Sequence, residues 1–206
     1  MHQARLYVLT DGADSVDHFR HRTAEIIRAG ADVVQLRDKR LSDRDLLGRA
    51  AILVELAAGT STHAIINDRA DIARLVSATG VHLGQDDLSV SQARQILNGK
   101  QIVGVSTHSV AQARVAFEQR AEYIGVGPTF PSATKNFDDF TGLDLLRRVA
   151  DALPSFPAFA IGGISPQNVA AVLETGIHRI AVSHCVIAAT EPGAVIHALK
   201  EVLSRH

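Results

Sequence analysis

Gln35, Arg37 and Lys39 alternate through the run Val33-Val34-Gln35-Leu36-Arg37-Asp38-Lys39, and residues two apart on a strand point to the same side. One face therefore carries an amide and two cations at the end of an apolar stretch. A planar guanidinium fork beside an ammonium point charge suits a phosphorylated ligand. Burying two like charges together is costly without an anion to neutralise them. A frayed strand end with both cations solvated would use the same residues.

Two acidic segments add to this chemistry. Asn67-Asp68-Arg69 and Gly84-Gln85-Asp86-Asp87 each follow a short apolar run. Asp68 and Asp87, one from each strand end, would share a hard cation such as Mg²⁺, which takes one or two carboxylates and completes its shell with substrate phosphates. The competing role for each is a helix cap, the role assigned to Asp86. Ser106-Thr107-His108 groups two hydroxyls with an imidazole. Residues two apart at a strand end need not touch, so these do not establish a hydrolase triad; Ser106 would donate to a phosphate and His108 would transfer protons.

Further along, Gly127-Pro128-Thr129-Phe130-Pro131-Ser132-Ala133-Thr134-Lys135 offers hydroxyls and an ammonium after a proline-stiffened turn, and it continues without periodicity to Thr141. Such a loop can close over a ligand, or be an ordinary solvated loop. Gly162-Gly163 lets backbone N–H groups approach an anion ahead of a helix. Ser183-His184-Cys185-Val186 follows the last apolar run. His63, His82, His178 and His184 lack metal-ligand spacing and read as packing residues, as does Cys185.

The elements that must position these groups alternate from end to end. Apolar strands are expected at Leu6–Leu9, Asp32–Arg37, Ala64–Ile66, Val81–Leu83, Ile102–Val105, Tyr123–Val126, Ala158–Ile161 and Arg179–Val182. Between them lie segments with apolar residues at helical spacing, such as Leu46, Leu47, Ala50, Ala51 and Val54. Ser42 with Asp45 resembles a capping box, Ser165-Pro166 an N-cap with first-turn proline, and Gly30, Gly59 and Gly176 helix stops. Eight βα units of roughly 26 residues each make an α/β protein with one (β/α)8 TIM barrel domain over 1–206. An open doubly wound sheet is the alternative. In the barrel, reactive groups gather at the C-terminal ends of strands, where the polar residues named above fall, and the loops after strands seven and eight form a phosphate site.

Composition narrows the function classes. A net charge of −1 gives no global electrostatic case for nucleic acid or an anionic membrane. One cysteine excludes an intrachain disulfide framework and a multi-cysteine metal site. No apolar run approaches the ~20 residues needed to span a bilayer, and the first residues lack the apolar core of a secretory signal. The expectation is a cytoplasmic protein acting on small molecules, as a monomer or small homo-oligomer.

With these residues in view, the chain resembles the thiamine-phosphate synthase family. The matching elements are Gln35-Leu36-Arg37-Asp38-Lys39, Asn67-Asp68-Arg69, Gly84-Gln85-Asp86-Asp87, Gly104-Val105-Ser106, Gly125-Val126-Gly127-Pro128, Thr134-Lys135 and Ile161-Gly162-Gly163-Ile164, in family order across roughly residues 5 to 205. The resemblance implies an Mg²⁺-dependent enzyme joining a hydroxymethylpyrimidine diphosphate to a thiazole phosphate with release of pyrophosphate. It implies that Gln35, Leu36, Arg37, Asp38, Lys39, Asn67, Ser106 and Lys135 contact the pyrimidine diphosphate, with Asp68 and Asp87 on the metal. Arg37, Lys39, Ser106 and Lys135 would act in catalysis. Ser132, Ala133, Thr134, Gly163 and the Cys185-Val186 backbone would hold the thiazole phosphate. Ser132 stands where the family commonly has Thr, and Cys185-Val186 where small hydroxyl-bearing residues are frequent.

Two other functions compete. A thiazole tautomerase shares the barrel and would use His108 as its acid/base, but has no diphosphate leaving group for Asp68, Asp87 and Lys135 to serve. A non-catalytic binder of phosphorylated metabolites would keep Gly163 without needing paired carboxylates.

Overall fold

The computed structural model describes residues 1–130 and 142–205. Among them, eight strands close into a parallel barrel in chain order. The strands are β1 (Leu6–Thr10), β2 (Val33–Leu36), β3 (His63–Asn67), β4 (Gly80–Leu83), β5 (Ile102–Thr107), β6 (Tyr123–Val126), β7 (Ala158–Ile161) and β8 (Ile180–Val182). The helices are α1 (Val16–Arg28), α2 (Asp43–Ala57), α3 (Ala70–Leu75), α4 (Val90–Ile96), α5 (Val110–Glu118), α6 (Gly142–Ala152), α7 (Val169–Leu173), α8 (His184–Ile187) and α9 (Pro192–Ser204). β1 pairs with β8 through Leu6↔Ile180 and Val8↔Val182, which closes the sheet and decides against the open alternative.

Closure splits the apolar residues into two sets, because alternate side chains on a strand face opposite ways. Leu6, Val8, Val34, Leu36, Ile66, Val81 and Val103 face outward into the layer shared with the helices. Tyr7, Val33, Ile65, Tyr123, Phe159 and Ala181 fill the barrel interior. Strands covered on both faces need no apolar–polar alternation, which is why their sequences read as continuous runs.

The helices follow from local chemistry. In α1, Phe19, Thr23, Ile26 and Ile27 are buried at helical spacing. Ser15 caps its start by accepting from the His18 N–H at 3.2 Å, and Gly30, at φ +92°, follows its end. At α2, the Ser42 hydroxyl accepts from the Asp45 N–H at 3.2 Å and donates to the Asp45 carboxylate at 2.6 Å. That pairing joins side chain to side chain rather than returning to the cap backbone. The Ser165 cap expectation fails, because residues 165–168 form a turn and α7 begins only after Asn168. The Asn168 side chain instead accepts from the Ser165 N–H at 2.8 Å.

One glycine decides how the interior packs. His82, Gly104 and Tyr123 lie in register on β4, β5 and β6. A Cβ on Gly104 would stand 2.0 Å from Tyr123 Cζ, so the missing side chain is the space the phenol ring occupies. Gly104→Ala is expected to cost about 1–3 kcal/mol by overpacking and to displace the Tyr123 hydroxyl from His82. Thermal unfolding with a crystal structure of the variant checks both effects; an unshifted ring at wild-type stability would contradict the packing argument.

Candidate active site

All four β2 residues are buried, and the Gln35 side chain, at 1 % exposure, lies inside the barrel. The strand stops before Arg37, whose backbone N–H donates to Thr10 C=O at 2.8 Å. The chain then rises over the C-terminal mouth, with Arg37 half-buried and Lys39 exposed. The intervening residues differ in role. Leu36 turns its side chain into the sheet–helix layer, leaving only its backbone near the mouth. The Asp38 carboxylate accepts from the Gly12 N–H at 3.2 Å and the Arg40 N–H at 2.8 Å, tying the β1–α1 loop to the end of β2. Arg49 completes that anchor by donating to Gly12 C=O at 2.9 Å.

Asp68 and Asp87 meet across the mouth. Asp68 takes a left-handed backbone at φ +61°, and its N–H donates to His82 C=O at 2.8 Å. Its carboxyl lies within hydrogen-bonding reach of the Asp87 carboxyl. Burial first, then the neighbouring Asp87, pushes the Asp68 carboxyl above the ordinary carboxylate range. Lys39 Nζ, 3.5 Å from Asp68 Oδ2, offsets part of that repulsion. Asp87 accepts from the Gly84 N–H at 2.7 Å, which folds the β4–α4 loop back on itself. Asp86 is exposed, and Arg69 is committed to ion pairs with Asp43 and Asp71. Half-buried Asn67 ends β3 beside this pair in sequence.

Beneath the mouth lies a chain of polar side chains that the scattered histidines did not announce. Gln35 Nε2 donates to Tyr7 OH at 2.6 Å, and Tyr7 OH lies 3.0 Å from Tyr123 OH. Tyr123 OH lies 3.1 Å from His82 Nδ1, and His82 Nε2 lies 2.9 Å from Ser106 Oγ. Burial raises both phenols well above their usual range. Burial, then the Arg37 charge, depresses the His82 imidazole from 6.5 to about 4. The fold therefore holds neutral imidazole. The stability this contributes is complete above pH 6.5 and is lost as pH falls toward about 4; the loss is on the order of 3 kcal/mol. Denaturant titrations at intervals across that window should show wild type losing more stability than His82→Gln. Parallel losses would remove His82 as the cause.

His108 belongs to a different place. It is exposed, and its Nδ1 lies 2.6 Å from Gly127 C=O, a group that only accepts. The proton of the neutral ring therefore sits on Nδ1. The imidazole that reaches Ser106 is that of His82, whose Nε2 lies 2.9 Å from Ser106 Oγ.

On the far side of the mouth, Gly162 and Gly163 both have positive φ, +107° and +62°. A Cβ on Gly162 would meet Thr129 N at 2.9 Å, so the glycine admits the loop segment that leaves β6. Gly163 is exposed, with its carbonyl taken by Asn168 Nδ2 at 2.8 Å. After β8, Ser183 Oγ donates to Leu9 C=O at 3.1 Å. The Val186 N–H is engaged by Ser183 C=O at 2.9 Å, leaving Cys185 as the residue of that pair nearer the start of the turn. Burial pushes the Cys185 thiol up to about 11, which keeps it from acting as a thiolate nucleophile. Ser132, Ala133, Thr134 and Lys135 lie outside the described residues.

Residues 6–186 match the family described as thiamine monophosphate synthase. The chain belongs to that family. Relatives of the thiamine monophosphate synthase family include a protein from Rhodopirellula baltica named thiamine-phosphate synthase, 42 % identical over 207 residues, covering 98 % of this chain and 55 % of the relative. A second so named, from Synechococcus, is 38 % identical and covers 99 % of this chain and 58 % of the relative. The chain thus spans little more than half the length of these two. A third, from Halalkalibacterium halodurans, is 37 % identical with 100 % and 98 % of the two chains covered. Among solved structures, a thiamine phosphate pyrophosphorylase from Pyrococcus furiosus superposes with a TM-score of 0.86 at 29 % identity, covering 98 % of this chain and 96 % of that one. No helix among the described residues is long and apolar enough to cross a membrane.

Along the sequence of this family member Tyr7 and Tyr123 read only as strand residues and His82 as a packing residue. A signal was present: each is a polar residue at an inward position of its strand, in phase with Gln35 or Ser106. Recognising it requires knowing which strand faces which across the barrel.

Proposed function

We propose that this chain joins a hydroxymethylpyrimidine diphosphate to a thiazole phosphate, giving thiamine phosphate and pyrophosphate. The observation carrying this reading is the meeting of Asp68, Asp87 and Lys39 above a barrel interior that ends in Ser106 and Gln35. Two carboxylates that repel each other suit a divalent cation. Mg²⁺ fits this donor set, since hard oxygen ligands from two carboxylates leave positions for a diphosphate. Asp68 and Asp87 would hold it, and when bound it would neutralise charge on the diphosphate.

The chain's own groups carry the remaining work. The reaction breaks the C–O bond to diphosphate, whose oxygen keeps the electron pair, and forms a C–N bond to the thiazole nitrogen. Arg37 and Lys39 are cations at the end of β2 that would stabilise the charge growing on that oxygen. Lys135 is assigned the same task from the loop after β6. Ser106 would donate to the same substrate, and Gln35 would hold the pyrimidine with Asn67. Ser132 to Thr134, Gly163 and the Cys185-Val186 backbone are assigned to the thiazole phosphate, with the Cys185 N–H as the donor of that pair because the Val186 N–H already bonds Ser183 C=O. No protein nucleophile is required. The tautomerase alternative would rest on His108, whose Nδ1 is bonded to the Gly127 carbonyl, and it leaves the Asp68–Asp87 pair without a task. The same reading has the chain act in the cytoplasm as a monomer or small homo-oligomer, with 1–206 as one barrel domain.

Both reactions can be assayed with the purified chain, with and without Mg²⁺. Pyrophosphate release that needs both substrates and the metal is the expected result. Tautomerisation without condensation would refute it.

A further inference from the structure

The hydrogen bonds inside the barrel have a direction, and that direction is not arbitrary. Gln35 Nε2 can only donate, so at 2.6 Å it makes Tyr7 OH an acceptor. The single Tyr7 proton is then available for its neighbour Tyr123, 3.0 Å away. Tyr123 in turn has its own proton to give to His82 Nδ1 at 3.1 Å. A neutral imidazole that accepts at Nδ1 carries its proton on Nε2, which faces Ser106 Oγ at 2.9 Å. Ser106 then accepts from His82, and its own proton points onward to the mouth. Reversing the amide reverses every link, ending with Ser106 donating back to His82.

We infer that Gln35, Tyr7, Tyr123, His82 and Ser106 form a polarised relay, in which the orientation of the Gln35 amide sets the His82 tautomer and makes the Ser106 hydroxyl a donor toward bound substrate. Tyr7, Tyr123 and His82 are positioning residues in this scheme. A second observation identifies the input end. Gln35 Oε1 is buried and has no hydrogen-bond partner, so a ligand N–H presented to it would lock the amide in the donating orientation. The relay thereby couples recognition of an N–H donor at β2 to the hydroxyl at the end of β5. Its neutral members are supported by burial, which keeps both phenols protonated and the imidazole uncharged. What the Ser106 proton serves rests on the synthase reading; the relay itself does not.

The test separates these two claims. Long-range ¹H–¹⁵N correlation on histidine-labelled full-length protein reads the His82 tautomer without any substrate. Wild type is expected to show the Nε2–H form alone. Gln35→Leu removes the donor and keeps the position buried and uncharged, and should let His82 populate both tautomers. If that variant does not fold, Tyr123→Phe, which removes the Nδ1 partner while keeping the ring, should populate both tautomers. An unchanged Nε2–H signal in whichever variant folds overturns the relay. The kinetic arm tests delivery to Ser106: Tyr7→Phe should lower kcat/KM about tenfold, the loss of roughly one hydrogen bond, but add no further loss in a Ser106→Ala background. Equal losses in both backgrounds would overturn the coupling. Absence of condensation by wild type would refute the synthase reading, leaving the tautomer result standing.

Discussion

Asp87→Asn is expected to lower condensation activity by roughly 10²–10³-fold, the scale seen when one preorganised electrostatic partner of a developing charge is lost. The amide is chosen because Asp87 does two things. Its carboxylate faces Asp68, and it accepts from the Gly84 N–H at 2.7 Å, which shapes the β4–α4 loop. Asparagine keeps an acceptor oxygen for Gly84 and removes only the charge. Alanine removes both, adding a loss of about 1 kcal/mol from the missing hydrogen bond. The metal-free Asn variant should also be more stable than wild type at neutral pH. In the native fold the Asp68 carboxyl is raised by burial and by Asp87, so ionising it opposes folding. That penalty is present when Asp68 is charged and disappears as acid protonates it, so the advantage of Asp87→Asn should fade in acid. Turnover and Mg²⁺ dependence equal to wild type would remove Asp87 from the metal site; a purely structural role would show as lost stability instead.

Arg37→Ala should reduce kcat/KM for the pyrimidine diphosphate by a comparable roughly 10²-fold with little change in unfolding temperature. The fold should survive because the structural bond at this position runs from the backbone N–H to Thr10 C=O at 2.8 Å, not from the guanidinium. Arg37→Lys should recover only part of the activity, since an ammonium replaces the two-pronged donor with a point charge. A further readout needs no substrate. The Arg37 charge contributes to depressing His82, which titrates at about 4, so the alanine variant should titrate at a higher pH by NMR. Wild-type kinetics in Arg37→Ala would leave the β2 cations as surface charge, and an unmoved His82 would separate Arg37 from the barrel interior.

Much of this architecture is readable along the chain because its signals are local. Strands buried on both faces read as apolar runs, and helices announce themselves by their buried spacing and by caps such as Ser42. Asp68, Asp87, Arg37 and Lys39 stood out because each follows a strand at the end where barrel chemistry gathers. Other residues gave a misleading local picture. Ser165-Pro166 looks like a helix start but forms a turn before Asn168. Asp38, assigned to the substrate by resemblance, also has a structural part that its sequence context does not show, since its carboxylate holds Gly12 and Arg40. His82 looks like one histidine among several, because nothing near it in sequence identifies its partners.

By itself the sequence determined the alternation of strand and helix, the polar residues at strand ends and the family resemblance, since all of these are carried by residue type and short-range spacing. The tertiary structure alone decided which of those residues meet. Closing β1 against β8 brings Tyr7 to Tyr123, 116 residues away, and the register of β4, β5 and β6 sets Gly104 as the gap that lets Tyr123 reach His82. It also placed the alternating triplet of Gln35, Arg37 and Lys39 in three different environments: a buried amide, a half-buried cation and an exposed cation beside Asp68. A period of two predicts their common side; only barrel curvature and the end of β2 at Leu36 determine how far each sits from water.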